Sequence, residues 1–233
     1  DAVKEGRGIF RNIRKAVHFL LSSNIGEIIT IFVSILFGWR APLLAIHLLW
    51  VNLVTDSLPA IALGMDKTEQ DIMKRKSGAN HKSLFSDGLW QRIALEGCMI
   101  GMLALLAFGV GVTFFDRGDA VEIGRTMAFA TLSMTQLVHA FNMRTEKSIF
   151  SIDLFDNIYL VGALIIGVLL QVSVITIAPV AEIFKVVPLD PACWLIVLLL
   201  CLLPVALVEL EKYLSRLGLR KQLMYAASLM MRR

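Results

Sequence analysis

The sequence predicts an all-α, multi-pass membrane protein, built as a six-transmembrane-helix bundle. Three observations point there. The 233 residues are 57% hydrophobic, with a mean hydropathy of +0.71, too apolar for an ordinary water-soluble domain. The apolar residues gather into runs close to the ~20 residues that a spanning helix needs. The basic residues sort by side: of 23 lysines and arginines, only Arg40, Arg117, Arg125 and Lys185 fall in the second, fourth and sixth connections counted from the N-terminus.

Residues 1–17 hold Lys4, Arg7, Arg11, Arg14 and Lys15 and are read as a cytoplasmic stalk helix. The first apolar run, His18–Phe37, has no small-residue cleavage site and contains Glu27, so it is a span and not a secretion signal. The second is Leu43–Leu63. The loop 64–92 that follows is polar and basic and too small for a core of its own. The third run is Ile93–Phe115. The fourth, Thr126–Phe141, is the shortest and most polar. The fifth and sixth are Ile158–Ala178 and Ala192–Leu210. Residues 18–210 thus form one transmembrane domain, and 211–233 a basic tail. That tail ("LSRLGLRKQLMY") suits a helix lying on anionic lipid, with a regulatory segment as the other reading. Short connections at 38–42, 116–125 and 179–191 pair the spans as hairpins, first with second, third with fourth, fifth with sixth.

The positive-inside rule places both termini and the 64–92 loop in the cytoplasm. A plasma-membrane location is expected, with the lipid bilayer as partner. The net charge of +4 follows from this topology, and no nucleic-acid partner is expected. Cys98, Cys193 and Cys201 lie in or at apolar runs without a CxxC pair, so they are read as packed membrane cysteines.

Two acids stand at midspan: Glu27 in the first run and Asp56 in the second. Insertion of an aspartate at a helix centre costs ~2.5–3.5 kcal/mol, and such residues are usually functional. Each has polar company at helical spacing: Asn24 with Glu27, and Asn52 and Thr55 with Asp56. Both sets form one-sided patches, and antiparallel neighbours would bring them together at one depth. Carboxylate, amide and hydroxyl oxygens without sulfur suit a hard cation such as Ca²⁺. Pro59 cannot donate to the carbonyl of Thr55 and clashes with it. A kink or unwound turn near Asp56 is therefore expected, and broken backbone at membrane depth is tolerated where it lines a site. The bland alternative is an interhelical hydrogen-bond network around a protonated Asp56.

"SSNIGEI" followed by "LLWVNLVTDSLPAIALGMD" resembles the fifth and sixth transmembrane helices of P-type calcium ATPases. "EGRGIFRNIRKAV" resembles the stalk before them, and "GRTMAFATLSMTQLVHAFNMR" the eighth helix of bacterial members. The resemblance covers essentially the whole chain, as the last six spans of a ten-span pump. It implies one calcium site from Asn24, Glu27, Thr55, Asp56 and Gln136. It implies a second from Asn52 and Asp56, completed in the family by a glutamate and carbonyls of the fourth helix. The missing N-terminal part, four membrane helices and the cytoplasmic domains, is then the expected partner; ATP and Mg²⁺ enter only through those domains. Sodium–potassium pumps have an acid at the position of Asn52, and secretory-pathway calcium/manganese pumps usually lack equivalents of Glu27 and Thr55. Two departures stand out: Gln136 replaces a glutamate of the muscle-type pump, and Ser57 a common glycine.

The chain is thus expected to be the membrane domain of an ATP-driven pump moving Ca²⁺ out of the cytoplasm, with one Ca²⁺ per cycle. Carboxylates emptied of cation in a low dielectric are more stable neutral, so proton countertransport is expected. A stand-alone channel or secondary carrier, a P-type pump for another cation and a non-transporting subunit are the alternatives. Several residues are read blandly. "DKT" at 66–68 is loop and not a phosphorylation motif. His139 makes interhelical hydrogen bonds, with proton transfer the other reading. Glu96 snorkels. His18 and His47 have no special role. Gly101, Gly109 and Gly111 allow close packing.

Overall fold

The computed structural model describes residues 2–67, 88–115, 120–145, 148–149 and 153–216. Among these, every regular element is a helix. Helix α1, Ala2–Leu36, is one rod of 35 residues, so the stalk and the first apolar run are continuous. At ~1.5 Å per residue it is ~52 Å long. It stops at Gly38, which adopts a left-handed φ of 65°. Trp39 N–H donates to Ser34 O at 2.8 Å and Gly38 N–H to Ile35 O at 3.0 Å, the paired bonds of a Schellman cap.

The second span is composite. Helix α2, Ala45–Trp50, runs into a π-helical turn, Val51–Thr55, and then into α3, Ser57–Gly64. Helix α4 is Leu89–Phe114 and α5 is Ala120–Asn142. A short 3₁₀ turn, Leu154–Asp156, precedes α6, Ile158–Thr176. Helix α7, Ala178–Phe184, connects α6 to α8, Pro191–Arg216. The 210/211 boundary expected for the tail falls inside α8, and residues 217–233 lie outside the described residues. So do most of the 64–92 loop and Thr68 of "DKT".

Five segments are long and apolar enough to cross a membrane: Ala2–Leu36, Ala45–Gly64, Leu89–Phe114, Ile158–Thr176 and Pro191–Tyr213. The exception among the six expected spans is α5, which has the length at 23 residues but not the hydropathy. The physical reason is its place. Helix α5 is the centre of the bundle, packed against α4, α6 and α8 and touching the π turn. From Thr126 to Leu137 every residue is buried. A helix screened from lipid by other helices need not be apolar. The outer faces carry the apolar surface instead: Phe32, Leu53, Leu106, Phe114 and Leu169 are exposed, as lipid contact requires.

The hairpin pairing holds in two cases of three. Helix α4 packs along α5, and α1 against α3. Helix α1 packs still more extensively on α4. The expected pairing of the fifth and sixth spans is not formed: α6 lies against α5 and α3, and α8 against α5 and α4. The connection between them is not a tight turn, because α7 and the irregular stretch at 186–190 let the two helices separate.

Glycines set the tightest approaches. A side chain at Gly97 would collide with Ile25, and one at Gly101 would lie 2.8 Å from Gly26 O, so the α1–α4 seam is backbone against backbone. Gly111 meets Gly124 across α4 and α5. Gly109, expected to do the same, faces open space. Its neighbours two residues either way, Ala107 and Gly111, are buried on the packed side.

Candidate functional site

The two acid patches do meet. Asn52 Nδ2 donates to Glu27 Oε2 at 2.9 Å, joining α1 to the π turn. Glu27 is 6% exposed and Asp56 fully buried. Asp56 lies within electrostatic reach of Glu27. Gln136 of α5 faces Glu27, and Ser23 of α1 faces Asp56, neither in hydrogen-bond alignment.

The backbone break expected at Asp56 takes the form of a widened turn and not of an unwound strand. Asp56 N–H donates to Val51 O at 2.9 Å, one residue further back than in an α-helix. Thr55 Oγ1 donates to the same Val51 carbonyl at 3.0 Å, and Ser57 Oγ to Asn52 O at 2.9 Å. The hydroxyl of Ser57, where a glycine was the common residue, thus holds the turn. Pro59 sits in the first turn of α3, where a missing N–H costs little. Regular α-helix resumes with Ala60 N–H bonding Asp56 O at 3.1 Å.

The site is rich in buried polar atoms that lack partners. These are Glu27 Oε1, both carboxylate oxygens of Asp56, the Ser23 hydroxyl and both amide atoms of Gln136. Leaving such a group unmade costs ~1–3 kcal/mol, more if charged. Six such atoms, three of them carboxylate oxygens, make this the candidate site. Among the described residues no three His, Cys, Asp or Glu side chains gather to hold a metal. The donor set is two carboxylates with amide and hydroxyl oxygens, the pattern of a hard cation.

The remaining expected ligands are placed unevenly. Thr55 is fully buried beside Asp56. Asn24 is half-buried and spends its amide N–H on its own helix, donating to Leu20 O at 2.7 Å, which leaves its Oδ1 to offer. Asn52 is exposed, although its amide reaches Glu27. Ser23 was missed, although "SSN" carries it next to Asn24. The helix period would have found it: Ser23 is one turn before Glu27.

Two further clusters lie toward the end of the bundle that holds the α1 N-terminus. Asp66, read as loop, is an anchor whose side chain is only 7% exposed. Lys15 Nζ reaches its Oδ2 at 2.6 Å, Arg144 its Oδ1 at 3.5 Å and Asn157 Nδ2 the same Oδ1 at 3.3 Å. Asn12 Nδ2 donates to the Asp66 carbonyl at 2.6 Å. Nearer the site, Glu96 does not snorkel but is held by His18 and His139. His47 is also engaged. Leu44 N–H donates to its Nδ1 at 3.2 Å, and its Nε2 lies 2.7 Å from Phe184 O. Cys193 and Cys201 are buried, whereas Cys98 is exposed on the outer face of α4.

A family described as "Cation transporting ATPase, C-terminus" matches residues 40–214. The chain is 48% identical over 225 residues to Calcium-transporting ATPase 1 of Bacillus cereus, covering 91% of this chain and 25% of that protein. It is 41% identical over 208 residues to the Calcium-transporting ATPase of Bacillus subtilis, covering 89% and 23%. It is 34% identical over 241 residues to Calcium-transporting ATPase 3, endoplasmic reticulum-type, of Arabidopsis thaliana, covering 92% and 24%. The chain therefore spans about a quarter of the length of these curated relatives.

Proposed function

The chain belongs to the cation-transporting ATPase C-terminal family, and on that premise we propose that it is the membrane part of an ATP-driven pump that carries Ca²⁺ out of the cytoplasm. The observation that carries the reading is Asp56: fully buried, capping a π turn, near Glu27, with both carboxylate oxygens unpartnered. Asn24, Glu27, Thr55, Asp56 and Gln136 supply the oxygens of one site. Asn52 and Asp56 contribute to a second, which holds the single Ca²⁺ of each cycle, and the exposure of Asn52 suits ligands arriving from another part of the pump. ATP and Mg²⁺ act in that other part. Protons replace the ion on the return step, since two facing carboxylates need a positive charge between them. The membrane is the plasma membrane, with both termini cytoplasmic.

Transport selectivity tests this. In the intact pump, Ca²⁺ stimulates ATP hydrolysis at roughly micromolar concentration, the range of oxygen-ligand sites of this charge. Stimulation by Cu⁺, Zn²⁺ or Na⁺ without a response to Ca²⁺ contradicts the reading, since oxygen donors disfavour soft metals.

A further inference from the structure

The half of the second span before the π turn is held by side chains outside the cation site. His47 of α2 is fully buried. Its ring stacks on Phe129 of α5, with centroids 4.4 Å apart and planes at 17°. Backbone groups engage both ring nitrogens. Leu44 N–H donates to Nδ1 at 3.2 Å, and Nε2 lies 2.7 Å from the Phe184 carbonyl. A carbonyl only accepts, so the ring proton sits on Nε2 and Nδ1 is the acceptor; both contacts require the same tautomer. Phe184 is the last residue of α7, where carbonyls find no donor in their own helix. Lys185, with a left-handed φ of 53°, ends the helix there. His47 thus caps α7 from another element.

A second arm lies about one turn further on. Trp50 Nε1 donates to Gln171 Oε1 of α6 at 3.0 Å. Gln171 is fully buried. The Trp50 ring meets Phe184 edge-on, with centroids 5.2 Å apart and planes at 84°. These contacts reach Asp56 through backbone. Val51 N–H bonds the carbonyls of His47 and Leu48. The Val51 carbonyl accepts from Asp56 N–H at 2.9 Å and from Thr55 Oγ1 at 3.0 Å. One run of hydrogen bonds therefore joins the end of α7, His47, the Val51 backbone and Asp56.

We propose that His47 and Trp50, with Phe184 and Gln171 as their partners, are positioning residues for the cation site. They clamp α2 to α6 and α7 and so fix where the π turn holds Thr55 and Asp56. The inference rests on the reading of Asp56 as a cation ligand. Pro59 permits the widened turn, and the clamp sets its direction. With the clamp closed, the turn is ordered before the cation arrives. With it broken, part of the population holds Asp56 elsewhere, and the apparent affinity falls by the fraction still in place.

The test measures Ca²⁺-dependent ATP hydrolysis and equilibrium binding of radioactive calcium on the intact pump and its variants. His47→Leu removes both ring nitrogens and leaves the Phe184 carbonyl without its donor. The Ca²⁺ concentration for half-maximal hydrolysis and for half-saturation is expected to rise about tenfold, the effect of one buried hydrogen bond. The maximal rate at saturating Ca²⁺ changes far less. His47→Gln keeps an amide N–H for the Phe184 carbonyl and restores most of the affinity. Trp50→Phe keeps the ring, loses the N–H and weakens binding severalfold. Adding Gln171→Leu removes the acceptor left alone and recovers part of that loss. Hydrogen exchange of peptides covering 51–56 speeds up in His47→Leu. Asp56→Asn separates the two ideas. If it binds Ca²⁺ as the wild type does, the cation site and the clamp fall together. If it abolishes binding while His47→Leu and Trp50→Phe keep wild-type affinity, the clamp alone falls. Equal losses in His47→Leu and His47→Gln also overturn the clamp. Should His47→Leu fail to fold, Trp50→Phe with and without Gln171→Leu decides.

Discussion

At the scale of single residues, the proposed site rests on two acids, with the neutral residues around them tuning it. Gln136 puts both amide atoms into the site without a partner, facing Glu27. Gln136→Glu adds a third carboxylate, so the Ca²⁺ concentration for half-maximal ATP hydrolysis is expected to fall severalfold; a rise would show that Gln136 does not face the ion. Asp66 shows the opposite use of a carboxylate. Lys15, Arg144 and Asn157 converge on it, so Asp66→Ala is expected to destabilise the fold by about 3 kcal/mol, the loss typical of breaking a buried ion pair. Thermal unfolding in detergent reads this directly. Glu27 and Asp56 were legible in the sequence because a carboxylate inside an apolar run is too costly to stand there without a use. Asp66 was not legible, since an aspartate just past a span looks like loop until Lys15 and Arg144 are brought to it from far along the chain. His18 and Glu96 were hidden for the same reason.

At the scale of elements, the π turn and the glycine seams decide the geometry. Pro59 denies the Thr55 carbonyl its usual donor, and the turn before it widens to i→i−5 bonding. Pro59→Ala restores the donor, so the segment is expected to regularise and the apparent Ca²⁺ affinity to drop about tenfold, with little change in thermal stability. The seam makes a contrasting pair of variants. Gly101→Leu forces α1 from α4, because a Cβ there already stands 2.8 Å from Gly26 O. The expected cost is about 1–3 kcal/mol, as for other overpacked sites. Gly109→Ala meets nothing within 4 Å and is expected to be neutral or stabilising. Equal losses at the two positions would refute the seam. The apolar runs were readable one by one because lipid selects their outer faces. Helix α5 read weakly because protein and not lipid surrounds it, and the α6–α8 separation was unreadable because connection length does not fix where a helix such as α7 leads the chain.

At the scale of the whole molecule, the bundle is a cage of five apolar segments around α5, with the acids on α1 and the π turn meeting it at mid-depth. The proposed orientation rests on the basic side chains. In a background without Cys98, Cys193 and Cys201, a cysteine at exposed Glu182 is expected to label from outside intact cells, and one at exposed Lys67 is not. Reversed labelling would invert the proposed direction of transport. The central claim is that Asp56 binds the transported ion. Equilibrium binding of radioactive calcium to the purified intact pump, its Glu27→Gln variant and its Asp56→Asn variant tests it most directly. The account predicts one ion per pump in the wild type, weakened binding with Glu27→Gln, and no binding with Asp56→Asn, because an amide lacks the charge a hard cation needs. Full binding retained by Asp56→Asn would contradict it.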